Sequence, residues 1–455
     1  MTAVLLGVTA GVFACGMMMG WSNQRIYSAI HTEVSHLKLY HPDFLNNEDI
    51  DKTVPDAAAI ETFLKKDPEV VAYSKRIKVT TMAATSNGTT GLTLNGVDLT
   101  QERKVSDLYT KLLPGAGNYP SNGEGSPIFI SDKTAEQLRI KTYVLSGEAI
   151  DSLGEAGLPQ TLIASLLPAA DVRFLTKKAF EKELRKYLDP KEINAYGPTI
   201  TQVAIHYRLR SKIVFTYSDA QGNLVNQTFR VCGVYKTDNT LFDQMNAFVP
   251  IQDLQPLTGL PMGACHEIAV LLTDKSDPQW LKTRLRERFH KVAVLTWKEL
   301  VPDAGMIAEY IVVFNYIVLG FILFALAFGI VNTMMMAVLE RTKELGILMA
   351  IGMNKGRIFG MIVLETIYLT LAGALVGMGL GGLLVRITGQ TGLNFSSVAE
   401  GIEAMGWSDV VYPELSPGYF LGITLIVILA AVLASIAPAK KALDLHPVDA
   451  LRTDN

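Results

Sequence analysis

The chain has 455 residues, 49% of them hydrophobic and 19% charged, with a formal net charge of −3 and a mean hydropathy of +0.25. Soluble domains are ordinarily about one quarter charged, so this composition argues against an all-soluble protein. No basic patch with interleaved aromatics, finger spacing or helix-turn-helix pattern points to a nucleic-acid partner. Apolar residues crowd at the two ends of the chain, whereas residues 25–300 have the mixed make-up of a soluble domain.

A membrane span needs about 20 predominantly apolar residues to cross roughly 30 Å of hydrocarbon. Residues 2–21 carry no charge and predict a first transmembrane helix over residues 1–24. A signal peptide is the rival reading, but nothing basic precedes the run. The Val12-Phe13-Ala14-Cys15 stretch is a poor lipoprotein cleavage site, with Phe where a small residue is preferred. The missing basic flank suggests a natural start upstream of Met1.

Residues 25–304 predict a large α+β extracytoplasmic domain inserted between helices 1 and 2. Residues 113–126 (LPGAGNYPSNGEGS) have the composition of a loop. Residues 127–138 predict a strand and a helix start, and residues 147–170 weak helix broken by Pro159 and Pro168. Residues 212–235 predict a hairpin, with two runs rich in Val, Phe, Tyr and Thr around Asp-Ala-Gln-Gly-Asn. A strand over 267–272, a helix over 278–290 and a strand over 292–296 complete the domain. Cys232 and Cys265 either pair in an oxidising compartment or are buried singly. Cys265-His266 has no second ligand pair at zinc spacing, so packing is the simpler role.

Residues 310–339 contain no Asp, Glu, Lys or Arg. They predict a second transmembrane helix over residues 305–339. Thirty helical residues reach about 45 Å, longer than the hydrocarbon is thick. With Asp303 and Glu309 at one end and Glu340 at the other, projection on the outer side is expected, making the helix a lever.

Residues 340–357 follow without a turn signal. Leu345, Leu348, Met349 and Gly352 fall at i, i+3, i+4 and i+7, one apolar face of a helix, and Glu340, Arg341, Lys343 and Glu344 give its first turn charge of both signs. The plainer reading is an amphipathic helix on membrane lipids. The sharper one is a docking surface for a cytoplasmic protein, since lipid headgroups favour Lys and Arg alone.

Residues 358–386 predict the third transmembrane helix. Gly373, Gly377 and Gly381 recur every four residues, a seam that admits close approach of another helix. Glu365 in the same span must face protein or water, or lie near the interface. Residues 387–417 form a short extracytoplasmic loop with Glu400, Glu403, Asp409 and Glu414, and positions 390–417 have no Lys or Arg. Residues 418–437 predict the fourth helix and 438–455 a tail bearing Lys440, Lys441 and Arg452. Arg341, Lys343, Lys355 and Arg357 mark the 340–357 link as cytoplasmic together with that tail. The N-terminus is then also cytoplasmic and the large domain outside.

No G-x-x-x-x-G-K-[ST], G-x-S-x-G, H-E-x-x-H or C-x-x-C motif is present. The chain is therefore expected not to be an enzyme and to carry no cofactor or metal of its own.

Glu340, Arg341, Glu344, Leu345, Gly346, Ala350 and Gly352 form a Glu-Arg-x-x-Glu-(hydrophobic)-Gly-x-(hydrophobic)-x-Ala-(hydrophobic)-Gly pattern. It resembles the link between spans two and three of MacB/FtsX-type ABC transporter permeases. Pro438-Ala439-Lys440-Lys441-Ala442, followed by Asp444-Leu445-His446-Pro447-Val448-Asp449-Ala450-Leu451-Arg452, is similar to that family's C-terminal signature. In the outer domain, Asn95-Gly96-Val97-Asp98 with Glu102 and Val105-Ser106-Asp107-Leu108 resembles the lipoprotein-releasing LolC/LolE permeases. So do Val231-Cys232-Gly233-Val234-Tyr235 with Phe242-Asp243, and Thr296-Trp297 with Pro302. The chain departs from them in Asp98, where Pro is usual, in an insertion over residues 146–201, and in lacking a basic amphipathic N-terminal helix.

The resemblance implies a permease subunit in a bacterial inner membrane, paired with a second permease chain, identical or related. Two copies of a separate ABC ATPase subunit would bind ATP and magnesium, and residues 340–352 would dock in that ATPase as a coupling helix. Work would reach the outer domain by mechanotransmission, releasing a lipoprotein cargo to a periplasmic chaperone. Within the family the alternative is MacB-like export of peptides or drugs with an outer-membrane partner. Outside it stands a membrane sensor without an ATPase. A membrane-anchored hydrolase is disfavoured because no nucleophile or metal constellation is found.

Overall fold

The computed structural model describes residues 2–123, 125–273 and 276–443. The chain divides into two compact units, one of Met1–Ile26, Asp303–Ile402 and Trp407–Asn455, the other of Tyr27–Pro302 and Glu403–Gly406. Among the described residues, four helices are long and apolar enough to cross a membrane.

These helices are α1 (Thr2–Ser28, continued by a π-helical turn over Ala29–Val34), α2 (Pro302–Glu340), α4 (Lys355–Thr391) and α5 (Pro417–Leu443), with the shorter α3 (Thr342–Ala350) between α2 and α4. All four run beyond their sequence-predicted ends, because apolarity marks only the stretch that suits hydrocarbon whereas caps decide where a helix stops. The Asn354 side chain accepts from the Gly356 amide at the start of α4, and Gly392, at φ +73°, ends it. Helix α2 has 39 residues, about 58 Å at 1.5 Å per residue. The apolar core of this unit repeats at helical spacing: Val4, Val8 and Val12 from α1, Leu319, Leu323 and Ile330 from α2, Ile358 and Ile362 from α4, Ile423 and Val427 from α5. Positions four apart lie on one helix face, so each helix turns one stripe inward.

The other unit is built on a mixed sheet of ten strands among the described residues. Its strands are β1 (Leu37–Tyr40), β2 (Val70–Ala84), β3 (Thr89–Val97), β4 (Leu112–Gly117), β5 (Pro127–Ser131), β8 (Lys212–Ser218), β9 (Leu224–Tyr235), β10 (Asn246–Pro250), β11 (Glu267–Leu272) and β12 (Ala293–Thr296); β6 (Lys141–Tyr143) and β7 (Ile205–Tyr207) pair separately. Strands β2, β3, β10, β5, β9 and β8 pair in turn, and β8 returns to β2 through Met82, Ala83 and Ala84, closing a barrel. Ile77, Val79, Leu94, Ile130, Phe215, Phe229 and Val249 fill it. Closure leaves β8 paired on both sides at Val214–Thr216. The first half of the long β2 instead pairs with β11, which leads through β1 to β12. Helices Ala57–Leu64 and Pro278–Arg288 contribute Ile60, Leu64, Leu281 and Leu285 to the core of this extension.

The hairpin expected over 212–235 is present as β8 and β9, joined by an Asp219–Asn223 loop in which the Asp219 carboxylate accepts from the Gln221 and Asn223 amides. The loop expected over 113–126 is corrected in its first part: β4 occupies Leu112–Gly117, paired with β9 at Leu112–Tyr235 and Gly117–Gly233. A Cβ at Gly117 would lie 2.1 Å from the Cys232 carbonyl oxygen. Gly117, which read as loop composition, permits close strand approach. The 146–201 insertion forms helices Gly147–Glu155, Gln160–Leu166, Lys177–Leu184 and Pro190–Val203 around Leu153, Leu166, Phe180, Leu184 and Ile200. Asp98, unusual by family resemblance, is the N-cap of helix Leu99–Val105, accepting from the Thr100 and Gln101 amides. Cys232 and Cys265 are not joined: the Cys232 thiol lies 3.1 Å from the Ile128 carbonyl, and Cys265 is buried in the core of the sheet extension.

Where β1, β2 and β11 run together, ionised side chains are buried. Ser74, Arg76 and Lys78 alternate along β2, and Glu267 pairs across the sheet with both Arg76 and Tyr40. The Glu267 carboxylate meets Arg76 Nη1 at 2.7 Å, Lys38 Nζ at 2.9 Å, Lys78 Nζ at 3.6 Å and the Tyr40 hydroxyl at 2.8 Å. Arg76 also grips Glu102 of helix Leu99–Val105 at 2.7 and 3.1 Å, and Ser74 donates to Glu102 at 2.7 Å. Burial pushes the Glu267 carboxyl up, but Lys38, Lys78 and Arg76 together hold it well below the usual carboxylate range.

Replacing Glu267 by Gln leaves these cations short of a counter-charge, and removing one member of a buried pair typically costs about 3–5 kcal/mol. Denaturant titration of the full chain followed by fluorescence near Trp297 should show a loss of that order. Because the folded carboxyl titrates below the unfolded one, its stabilising contribution is complete above about pH 4.3 and is lost as pH falls toward the folded value. Acid unfolding of the wild type should therefore be steeper than that of Glu267→Gln; equal slopes would remove Glu267 from the acid transition.

Candidate functional site

The link between α2 and α4 is a helical corner. Helix α2 ends at Glu340, and Arg341 leaves helical geometry at φ −99° and ψ 19° before α3 starts at Thr342. Leu345 and Gly346 are buried and fasten α3 to the bundle, with Met349 and Met353 packed at its edge. Glu340, Lys343, Glu344 and Ala350 are exposed.

One member of the sequence-predicted site, Gly352, does something other than expected, and a second, Arg341, makes a further contact. Gly352 was expected on the apolar face of the link, but it is exposed, with φ +90° and open space around its Cα. Its amide donates to the Met349 carbonyl at 3.1 Å and that of Met353 to Leu348 at 3.0 Å, the paired bonds of a Schellman stop. Gly352 thus serves α3 by ending it. Arg341 is exposed beside the charged outer face and bridges it to α4: its Nη1 donates to Glu365 Oε1 at 2.8 Å, with Nε 3.6 Å from Glu344 Oε2. The Glu365 side chain is 40% exposed, and its partner comes from the link itself.

Sequence reasoning missed Ile347 and Ile351, which are 51% and 76% exposed on the outer side of the link. Their signal was available, since two β-branched apolar residues four apart lie off the predicted apolar face.

The glycine seam of α4 meets α1. A Cβ at Gly377 would lie 2.8 Å from the Leu5 carbonyl oxygen and 3.0 Å from Val8 Cβ, and one at Gly381 would lie 2.8 Å from Val12 Cβ. The Thr9 hydroxyl lies 3.1 Å from the Gly377 carbonyl oxygen. Gly373 is buried on the same stripe. On α1, Gly7 and Gly11 face α2 in the same way, against Leu326 and Leu319; their four-residue spacing was legible but not used. At the other end of α1, the Trp21 indole donates to the Ser408 carbonyl at 3.0 Å, stacks on Phe395 and meets Trp407 edge-on. The Gln24 amide donates to the Val410 carbonyl and accepts from the Tyr412 amide, both at 3.0 Å. It thus lengthens the small ladder of Leu393–Asn394 with Val410–Val411.

Among the described residues no group of three His, Cys, Asp or Glu side chains is placed to hold a metal ion. The signature expected over Asp444 to Arg452 lies outside the described residues.

Gly381→Leu should force α1 and α4 apart at a cost of about 1–3 kcal/mol, lowering the thermal midpoint of the solubilised chain. Gly379→Leu, with nothing within 4 Å of its Cβ position, should leave the midpoint unchanged; equal effects would show that close approach is not what these glycines provide. Gly352→Ala, strained at positive φ, should cost about 1 kcal/mol, seen as faster amide exchange in the last turn of α3.

Residues 316–447 match the family described as FtsX-like permease C-terminal. The chain is 29% identical over 237 residues to an uncharacterised ABC transporter permease, MJ1507, of Methanocaldococcus jannaschii, covering 50% of this chain and 55% of that one. It is 28% identical over 159 residues to the ABC transporter permease YknZ of Bacillus subtilis, covering 35% and 36%. Over 126 residues it is 32% identical to the macrolide export ATP-binding/permease protein MacB of Neisseria meningitidis, covering 28% and 17%. The matched region thus spans about half or less of each relative's length. Of solved structures, the extracellular domain of YknZ aligns at 15% identity over 57% of this chain and 99% of its own, with a TM-score of 0.29. The periplasmic region of MacB from Actinobacillus actinomycetemcomitans aligns at 13% identity over 61% and 95%, with a TM-score of 0.30; such scores carry no argument about fold. The α3 link, the glycine seam and Glu365 therefore lie within the stretch that matches the FtsX-like permease C-terminal family, and the relatives the chain is similar to are named as ABC transporter permeases or as MacB.

Proposed function

We propose that this chain is the membrane subunit of an ABC-type transporter whose ATP, with its magnesium, is bound and hydrolysed by a separate subunit. The observation that carries this reading is the α3 link. Inside the FtsX-like segment, a short capped helix is fixed to the bundle by Leu345 and Gly346 and turns Glu340, Lys343, Glu344, Ile347 and Ile351 outward. Two exposed isoleucines flanked by charge of both signs suit a protein groove, where apolar anchors supply affinity and charges set register. Lys343, Lys355 and Arg357 support a cytoplasmic position for the link, with both termini on that side and the mixed-sheet unit in the periplasm of a bacterial inner membrane. Helix α2 ends at the link and is far longer than hydrocarbon requires. Mechanotransmission along it, in a complex of two permease chains and two ATPase chains, follows without any cargo crossing a pore.

Two cargo classes fit this machine. Release of a lipoprotein to a periplasmic chaperone is favoured by the resemblance of the outer domain to LolC/LolE permeases. Export of peptides or drugs with an outer-membrane partner is favoured by the relatives named as macrolide exporters. A neighbouring gene for a lipoprotein chaperone would support the first, and one for a periplasmic adaptor the second.

Affinity purification of the chain from its native membrane in several mild detergents should bring down an ATP-binding subunit; recovery of none would overturn the transporter reading in favour of a sensor. Glu344→Lys should reduce that recovery about tenfold, on the order of 1.4 kcal/mol, while membrane insertion is unchanged. Unaltered recovery would remove Glu344 from the docking face.

A further inference from the structure

Glu365 lies ten residues after Lys355, the first residue of α4, about 15 Å along the helix axis. A carboxylate carried that far into an apolar span is costly without a partner. Its partner is Arg341, 24 residues away in sequence, at the break where α2 gives way to α3. Otherwise α3 is tied to α2 by the Thr342 hydroxyl on the Leu339 carbonyl and meets the bundle through Leu345, Gly346 and the edge methionines. Apolar contact is non-directional and lets a short helix slide or roll. A charge-assisted hydrogen bond at 2.8 Å fixes a distance and an orientation. Helix α4 is in turn packed closely on α1 at Gly377 and Gly381.

We infer that Arg341 and Glu365 are positioning residues whose ion pair makes α3 move as one piece with α4, so that displacement of the link by a docked partner passes into the third apolar helix as well as along α2. This rests on the proposed docking at α3. It withdraws Arg341 from the docking residues and gives Glu365 a mechanical role. A bland alternative is that Arg341 merely neutralises a carboxylate near the membrane.

The two roles separate in a set of variants of the full chain in lipid nanodiscs: Glu365→Gln, the neutral pair Arg341→Gln/Glu365→Gln, and the reversed pair Arg341→Glu/Glu365→Arg. Amide exchange of residues 342–350 and of α4 is measured without nucleotide, then with ATP in the presence of whichever ATP-binding subunit co-purifies. Glu365→Gln should speed exchange across α3 about threefold and abolish any ATP-driven change in exchange of α4, with recovery of the ATPase retained. The reversed pair should restore both and the neutral pair neither. Wild-type exchange in the neutral pair would show that neutralisation alone is needed and overturn the inference, and so would unchanged exchange in Glu365→Gln. Should no ATPase be recovered, the transporter reading falls, while the nucleotide-free measurement still decides whether the pair fixes α3.

Discussion

The membrane-helix unit depends on how near two backbones can come. In a lipid bilayer, helices gain little from hiding apolar surface, because the solvent is itself apolar; close packing and interhelical hydrogen bonds must hold them. Helix α1 meets that requirement on two sides. Gly377 and Gly381 of α4 leave room for Leu5, Val8 and Val12, while Gly7 and Gly11 of α1 leave room for Leu326 and Leu319 of α2. Helix α1 is thus a thin element between two long ones. The Thr9 hydroxyl, close to the carbonyls of both Leu5 and Gly377, ties its backbone to that of α4.

On that bundle the α3 link divides its residues by direction. Leu345 and Gly346 face in, Glu340, Lys343, Glu344, Ile347 and Ile351 face out, and Arg341 reaches sideways to α4. Both ends of the corner have local causes: Gly352 stops α3 in a left-handed turn, and the Asn354 side chain restarts the chain as α4. Stop and start lie only two residues apart.

The mixed-sheet unit answers a different demand. Its barrel closes because β2 is long enough to pair with β11 along its first half and with β8 at its end. At the handover sit Arg76, Glu267 and Glu102, with Lys38 and Tyr40 supplied by β1. Apolar residues would fill the same volume at lower desolvation cost. The ionic cluster adds direction, since Glu267 faces Arg76 in this register and a one-residue slip of β2 would turn Arg76 to the other face of the sheet.

Properties written along a single stretch were legible in the sequence. The four apolar helices, the β8–β9 hairpin and the helical face carrying Leu345 follow from local composition and period, and so does the four-residue spacing of Gly373, Gly377 and Gly381. Their ends were less legible, because a cap such as Asn354 or Gly392 acts through one or two hydrogen bonds that mean hydropathy does not register. Only the tertiary structure decided which side chains meet. It paired Glu365 with Arg341, brought Trp21 to Ser408 across 387 residues, closed the barrel through Met82 to Ala84, and put a strand where LPGAG read as loop. Contacts of that kind depend on how whole elements are placed, and a helix or strand signals its own period without naming the partner that its face will find.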